Sequence, residues 1–483
     1  MKETMKGSEK TSIISVEAPR RRLSFWNKFF LSTIFFSLLS FLAARTYSLS
    51  EFLIYSPYRS CSGTKLSVEQ QARKILEDNP LIDGHNDLLI GIRQFYKNRI
   101  YGDDFTQKFE NGGFMSHVDL PRLDQGLQGG AFWSAFMPCP ITSNGTDFSD
   151  AQYEPIVHAT LDALDLFHRL GERYPKYFTP SSTHNEALEA FSAGRLISPV
   201  IIEGLHQIGN SIANLRLFHR LGVRYATLTW NCHNKYADAA LESDEHFNAR
   251  IATPHWHGLS KDGRALVLEM NRLGMIVDLA HVSVDTMRDV LIGSSKTPRP
   301  ASKGEKEVEG HWEGSIAPPI FSHSSIHAIC PHPRNVPDEI LHLVRARNSL
   351  VMINFSGSFI ACEYPPTADP ATDLPTTVHE NATLAQVVRH IMYVGELIGY
   401  DYVGIGTDYD GIEETPVGLE DVSKFPDLVA ELLRQGVSEA DVIKVVGGNL
   451  LRVWKEVDAV KERLGREGVL PLEDVISNPW GII

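Results

Sequence analysis

From about residue 67 onward the chain alternates short apolar runs with longer stretches in which apolar residues recur every three to four positions. The short runs fall at 81–87, 130–137, 198–203, 225–230, 275–281, 319–323, 350–355 and 402–408. Between them lie stretches of helical period at 153–170, 211–221, 263–273, 337–345 and 384–398. A 3.6-residue period predicts helices, and near-continuous apolar runs of this length predict strands buried on both faces. Eight such strands separated by helices predict an α/β fold, a (β/α)8 barrel of TIM type. Two segments interrupt the rhythm. Residues 293–318 are rich in Lys, Glu, Gly, Ser and Pro, and residues 363–382 in Pro and Thr, so both are expected to be surface insertions.

The N-terminus follows a different pattern. Residues 29–44 carry no charge and are preceded by Arg20, Arg21, Arg22 and Lys28. With Trp26 at one edge and Tyr47 at the other, the stretch reaches the length of a membrane span. The expected organisation is a basic cytosolic tail over 1–28, an anchor over 29–47, a stalk over 48–66 and a barrel domain over 67–483. The alternative is a signal peptide cleaved near Ala43 and Ala44, but its polar leader would be long for one. Either reading exports the barrel, as a single-pass membrane protein or a secreted one, and makes Asn144, Asn354 and Asn381 candidate glycosylation acceptors. Asn354 falls in an apparent buried strand and is the weakest of the three.

The bulk composition narrows the function classes. A formal net charge of −14 over 483 residues excludes a broad nucleic-acid footprint, which needs basic patches. The five cysteines are far apart and form no C-x-x-C pair, so a zinc finger or a thioredoxin-like motif is excluded. In an oxidising compartment Cys139, Cys232, Cys330 and Cys362 can form two disulfides and leave Cys61 over.

The chemistry sits at the strand ends. The first strand ends in His85 and Asp87, two apart and therefore on one face. The third ends in Glu203, the fifth in His281, the sixth in His323, and the eighth in Asp408 and Asp410. Asp83 and Asp278 lie further back, as barrel filler or as supports for groups nearer the mouth. Taken singly, each residue has an ordinary explanation: a hydrogen-bonded strand-end histidine, or turn aspartates before Gly411. Together, three histidines and two carboxylates converge on the face where barrel enzymes keep their active sites. That donor set suits borderline divalent metals, zinc first. It exceeds one tetrahedral site, and Glu203 is placed to bridge two ions.

Several ordered blocks extend this reading: I-D-G-H-N-D at 82–87, G-G-A-F-W-S at 129–134, I-E-G at 202–204, N-R-L-G-M-I-V-D-L-A-H-V-S at 271–283, F-S-H-S-S at 321–325, R-N-V-P-D at 334–338 and G-L-E-D-V-S-K-F-P-D-L at 418–428. With them the sequence resembles the membrane dipeptidases of renal type, peptidase family M19 of the amidohydrolase superfamily, from about residue 72 to 457. The resemblance implies a dipeptidase with two zinc ions per chain, His85 and Asp87 on one ion, His281 and His323 on the other, and Glu203 bridging. It implies that Arg334 binds the substrate carboxylate and that Asp408 lies near the substrate amine and scissile bond. It also implies disulfides Cys139–Cys232 and Cys330–Cys362, leaves Cys61 without a counterpart, and brings in members that often form dimers.

One departure stands out. The family carries T-L-T-H at the fourth strand, where the histidine helps to hold the substrate and polarise its carbonyl. Here T-L-T-W-N-C-H at 227–233 puts Trp230 in that place and His233 three residues later. Either the Trp230 indole or His233 supplies the donor, or the donor is missing, a loss typically worth ~10²–10³ in turnover. The rival from another class is therefore a metal-bound surface protein with weak or no activity. A second rival, an amidohydrolase of cyclic amides or esters, is disfavoured by Arg334.

Overall fold

The computed structural model describes residues 66–140, 146–244, 246, 248–293 and 312–474. The expected anchor and stalk, Cys61, Asn144 and most of the 293–318 insertion lie outside the described residues. Among the described residues no helix is long and apolar enough to cross a membrane.

Eight parallel strands form one sheet in sequential order: β1 (Leu81–Asn86), β2 (Gln128–Ser134), β3 (Val200–Glu203), β4 (Val223–Thr227), β5 (Ile276–Asp278), β6 (Ile320–Phe321), β7 (Leu350–Ile353) and β8 (Val403–Ile405). Alternation sorts their side chains into two cores. Ile82, Phe132, Ile201, Tyr225, Ile276, Ile320, Leu350 and Met352 form one cluster with Leu450, Val453 and Trp454 of the helix Asn449–Arg466. Their immediate neighbours, among them Leu81, Ala131, Val200, Ile202, Val277, Phe321 and Val351, join the surrounding helices in the other. Each strand thus buries both faces, as the unbroken apolar runs predict. Phe132 links the layers of the first cluster, with its ring 5.5 Å from Tyr225 and 5.4 Å from Trp454.

The sheet is nearly closed, and buried carboxylates stitch it. β1 and β8 share no ladder, but past β8 the backbone pairs Asn86 with Tyr409. The Asp87 amide donates to the Tyr409 carbonyl at 2.8 Å, and the Asp408 amide to the His85 carbonyl at 3.1 Å. Asp83 of β1 accepts from the Thr407 amide at 2.8 Å and the Thr407 hydroxyl at 2.6 Å. Asp278 of β5 does the same between β4 and β6, accepting from the Thr227 hydroxyl and from the Ser322 hydroxyl and amide. These two aspartates are supports, one of the two roles open to them in the sequence. Gly406 meets the backbone of Ser322 where any Cβ would overlap the Ser322 carbonyl oxygen, so the closing segment can come this near only as glycine.

The expected helices are present, three of them as Asp150–Arg173, Lys261–Leu273 and Leu384–Ile398. Ser and Thr residues start several of them: the Ser283 hydroxyl accepts from the Thr286 amide at 3.2 Å and opens the helix Val284–Ile292. The 293–318 segment is not wholly a surface insertion. Trp312, Ser315 and Ala317 are buried, and the Trp312 indole donates to the Asp289 carbonyl at 2.7 Å. The 363–382 segment is largely exposed and carries a short hairpin pairing Cys362–Glu363 with Thr376–Thr377. Disulfides join Cys139 to Cys232 and Cys330 to Cys362. Closing loops of 93 and 32 residues contributes on the order of 3–5 kcal/mol each in the chain-entropy picture.

Candidate metal centre

The strand ends deliver their polar residues to one point because the chain leaves the ladder there. Glu203 ends β3 with the parity of inward-facing Ile201, and Asn354 follows β7 with the parity of Met352. His281 and Asp408 lie beyond their strands in left-handed backbone, with φ of +66° and +63°. Non-glycine residues pay about 1–2 kcal/mol for that conformation, which recurs where function over-determines geometry. Asp87 occupies the N-cap position of the helix Leu88–Tyr96 yet makes no capping hydrogen bond. Its carboxylate turns to His85 instead, with Oδ2 3.1 Å from Nε2.

Glu203 divides the cluster into two halves. Its Oε2 lies 3.4 Å from His85 Nε2, while Oε1 lies 2.8 Å from His281 Nε2 and 3.5 Å from His323 Nε2. The three groups His85–Asp87–Glu203, Glu203–His281–His323 and His85–His323–Asp408 each place one ligand atom per residue within 4.8 Å of the others. All these side chains are buried.

The tautomers fit a metal. Tyr225 donates its hydroxyl proton to the Gly84 carbonyl at 3.0 Å and so accepts from His85 Nδ1 at 2.7 Å. Ser322 donates to Asp278 at 2.6 Å and so accepts from His323 Nδ1 at 2.8 Å. The Asn231 side-chain oxygen Oδ1 accepts from His281 Nδ1 at 2.9 Å. His281 and His323 therefore turn bare Nε2 lone pairs inward, and the two face each other at 3.0 Å, while His85 turns its Nε2 to the carboxylates of Asp87 and Glu203. Two lone pairs at that separation, and in the other half of the cluster an Asp87 Oδ1 that is buried and unpartnered, call for a cation.

The electrostatics agree. Burial, reinforced by the Arg334 charge, holds His281 down at about 3, and burial with the His85 charge holds His323 well below the usual imidazole range. Both are thus neutral, as ligands must be. Burial opposes a charge on His85 too, but Tyr225 and the carboxylates of Asp87 and Glu203 outweigh it and raise His85 well above its ordinary value. Positive charge is what this corner favours. Burial also pushes Asp408 up to about 8, with Asp87 and Glu203 adding repulsion against the opposing pull of His85. A bound cation would relieve that repulsion.

Around the cluster the predicted residues separate. Asp408 faces it, with Oδ2 held by the Asn354 amide at 2.8 Å. Asp410 turns away to accept from the His117 amide at 2.7 Å and from the Ser116 hydroxyl, tying a distant loop to the end of β8. Arg334 is buried without a salt bridge among the described residues. Its guanidinium lies 5.0 Å over the Phe359 ring, its Nε has no partner, and burial lowers it to about 10. Trp230 is half-buried at the mouth, its ring 4.8 Å from Phe136 and 6.1 Å from His281. His233 lies between Asp238 at 3.0 Å and Glu242 at 3.1 Å. Those partners hold it up at about 9 against burial, so it is a charged latch on the loop below the hairpin Leu241–Ser243 and Ala249–Ile251. Asn354 is fully buried with its amide committed to Asp408, whereas Asn381 is exposed.

Sequence reasoning missed Tyr225, Asn231 and Ser322 as holders of the histidines. Only Ser322 carried a local signal, by adjoining His323. For Asn231→Ala we expect metal affinity at the His281 side to fall ~10–100-fold with little change in thermal midpoint, because an orienting partner is lost rather than a ligand. Titration with a metal-sensitive dye checks this, and unchanged affinity would remove Asn231 from the centre.

A parallel barrel with imidazoles and a two-sided carboxylate at its C-terminal mouth defines a metal-dependent hydrolase class. Comparisons with known proteins narrow it. The profile of the membrane dipeptidases, peptidase family M19, matches residues 69–467. The dipeptidase aclJ of Aspergillus oryzae is 42% identical over 406 residues, 84% of each chain. The dipeptidase verJ of Clonostachys rogersoniana is 40% identical over 411 residues, 85% of this chain and 92% of its own. Among solved structures, the probable dipeptidase PvdM of Pseudomonas aeruginosa matches with a TM-score of 0.64 at 20% identity, covering 81% of this chain and 99% of its own. A metallopeptidase of Rhodobacter sphaeroides, liganded with a phosphinate mimic of the dipeptide L-Ala-D-Ala, matches at 0.61 and 23%, covering 78% and 99%. The chain belongs to peptidase family M19, and it is a metallo-dipeptidase.

Proposed function

We propose that the enzyme hydrolyses dipeptides bearing a free C-terminal carboxylate, with two zinc ions held by His85, Asp87, Glu203, His281 and His323. The observation carrying this reading is the division of Glu203, one oxygen toward each half of the cluster. The mixture of imidazole nitrogen and carboxylate oxygen favours zinc among divalent ions. When bound, the ions supply Lewis acidity toward the peptide carbonyl and a water that is nucleophilic at neutral pH. Arg334, a buried cation with no carboxylate of its own, pairs with the substrate carboxylate and so limits the length of the peptide. Asp408, oriented by Asn354, carries a proton to the leaving amine. Trp230 and Phe136 form an aromatic wall beside His281, and the Trp230 indole can donate toward the substrate carbonyl. His233 serves from behind, through its ion pairs, in keeping the loop of residues 230–242 in place. The N-terminal apolar segment anchors the catalytic domain outside the cytosol, a reading supported by its basic flank and by the disulfides.

Elemental analysis of zinc-reloaded protein tests the centre, with about two ions per chain expected. Assays then compare a free dipeptide with its C-terminal amide, and the free form is expected to win by ~10²-fold or more in kcat/KM. One ion per chain would remove the bridged centre, and equal rates on acid and amide would remove Arg334 from substrate binding.

A further inference from the structure

We propose that Cys139, Cys232 and His206 form a further metal site, for a thiophilic divalent ion such as zinc, which exists only while the Cys139–Cys232 disulfide is reduced. One ligand atom from each of the three residues lies within 4.8 Å of the other two. None of the three belongs to the catalytic cluster.

His206 provides the independent observation. It is 1% exposed, and its Nε2 lies 2.9 Å from the Met137 carbonyl oxygen, to which it can only donate. That bond fixes the tautomer and leaves the lone pair on Nδ1, which is buried without any partner. An unsatisfied buried acceptor typically costs about 1–3 kcal/mol, and an ion bound at that lone pair would offset the cost. Burial holds the imidazole down at about 4, consistent with a neutral ligand at physiological pH.

The frame around the site does not depend on the disulfide alone. His206 lies in the short turn Leu205–Ile208, where Gln207 donates to the Ala135 carbonyl at 2.7 Å and accepts from the Glu203 amide at 2.7 Å. On the other side the Ser243 amide donates to the Asn231 carbonyl at 3.0 Å, next to Cys232. The two cysteine Cα atoms are 6.2 Å apart. Thiolates on one tetrahedral zinc stand ~3.8 Å apart, from bonds of about 2.3 Å, which side-chain rotation can supply without moving the backbone far. Two sulfurs and one nitrogen leave a fourth position for water.

The chemistry balances. A dithiol in the cell reduces the Sγ–Sγ bond and is itself oxidised to a disulfide, its two protons passing to Cys139 and Cys232. In the tube a trialkylphosphine takes the oxygen of one water, becomes the phosphine oxide, and the water's two protons pass to the sulfurs. Zinc then displaces both protons on binding. In an oxidising compartment the site is closed; in a reducing one it opens.

The test compares zinc-loaded protein before and after phosphine treatment, with free thiols mapped by mass spectrometry and folding followed by circular dichroism. Reduced protein is expected to hold about one more ion per chain than oxidised protein. Cobalt added after reduction to protein that was loaded with zinc while oxidised and then freed of excess zinc should produce a near-ultraviolet thiolate-to-cobalt charge-transfer band, since only the cysteine site is then vacant. The Cys139→Ser/Cys232→Ser double variant should lose the band and the extra ion. His206→Gln, which keeps both thiols, should bind that ion at least ~10-fold more weakly. Free thiols at 139 and 232 with no extra ion would overturn the proposal, as would an extra ion that persists in the double variant or is indifferent to His206→Gln. Unfolding on reduction with zinc present would overturn it equally, since the site needs the fold.

Discussion

Glu203→Gln is expected to lower kcat/KM on a free dipeptide by ~10³-fold or more and to reduce the bound metal. The carboxylate turns one oxygen to each half of the cluster, and a neutral amide cannot offer an anionic oxygen to each. The stability consequence has the same sign in metal-free protein and grows when metal binds. Burial opposes the Glu203 charge, but His85 and the hydrogen bond from His281 outweigh it and hold the carboxylate well below its ordinary value. Removing that charge is therefore expected to leave the chelated variant less heat-stable than chelated wild type. Metal should widen the margin by about 4 kcal/mol at a thousandfold excess over Kd if the variant no longer binds. Calorimetry with and without a chelator, beside metal analysis, checks both halves. A variant that keeps its full metal content and most of its activity would contradict the bridging role.

Arg334→Met is expected to cost ~10²-fold or more in kcat/KM, chiefly through KM, and to leave the thermal midpoint unchanged or raised. Two charge-assisted bonds to a substrate carboxylate are worth ~1.5–3 kcal/mol each, which sets the lower bound. The stability half follows from burial: the guanidinium is desolvated without a counter-ion, held by a cation–π contact with Phe359 and a long 3.4 Å hydrogen bond to the His323 carbonyl. Replacing an unpaired buried charge by an apolar side chain of similar length removes a desolvation cost, the usual trade between stability and function. Steady-state kinetics and a melting curve on the same preparation decide it. A clear fall in melting temperature, or a KM that stays put, would make Arg334 a structural residue.

The sequence alone determined eight strands separated by helices and which polar residues end them: His85, Asp87, Glu203, His281, His323, Asp408 and Asp410. Eight apolar runs carry the period-2 parity that sorts Ile201 with Glu203 and Met352 with Asn354, and alternation needs no tertiary information. The order of the strands follows as well, because each helix returns the chain beside the strand it has left. What remained for the tertiary structure were choices between groups of equal local merit. Asp408 and Asp410 read alike in local pattern, and it is the loop at Ser116 and His117, far away in the chain, that draws Asp410 out of the site. His233 was open as a substrate donor in the sequence; the fold sets it between Asp238 and Glu242, where the charge pairing is made. Tyr225 reads as barrel filler until its hydroxyl is seen to reach Gly84 and His85, 140 residues away, and so to decide which imidazole nitrogen faces inward. Local pattern encodes which face a side chain takes, because that depends on its own backbone. It does not encode which hydrogen-bond partner arrives from a distant segment, and for this centre those partners set the protons, the tautomers and the charge.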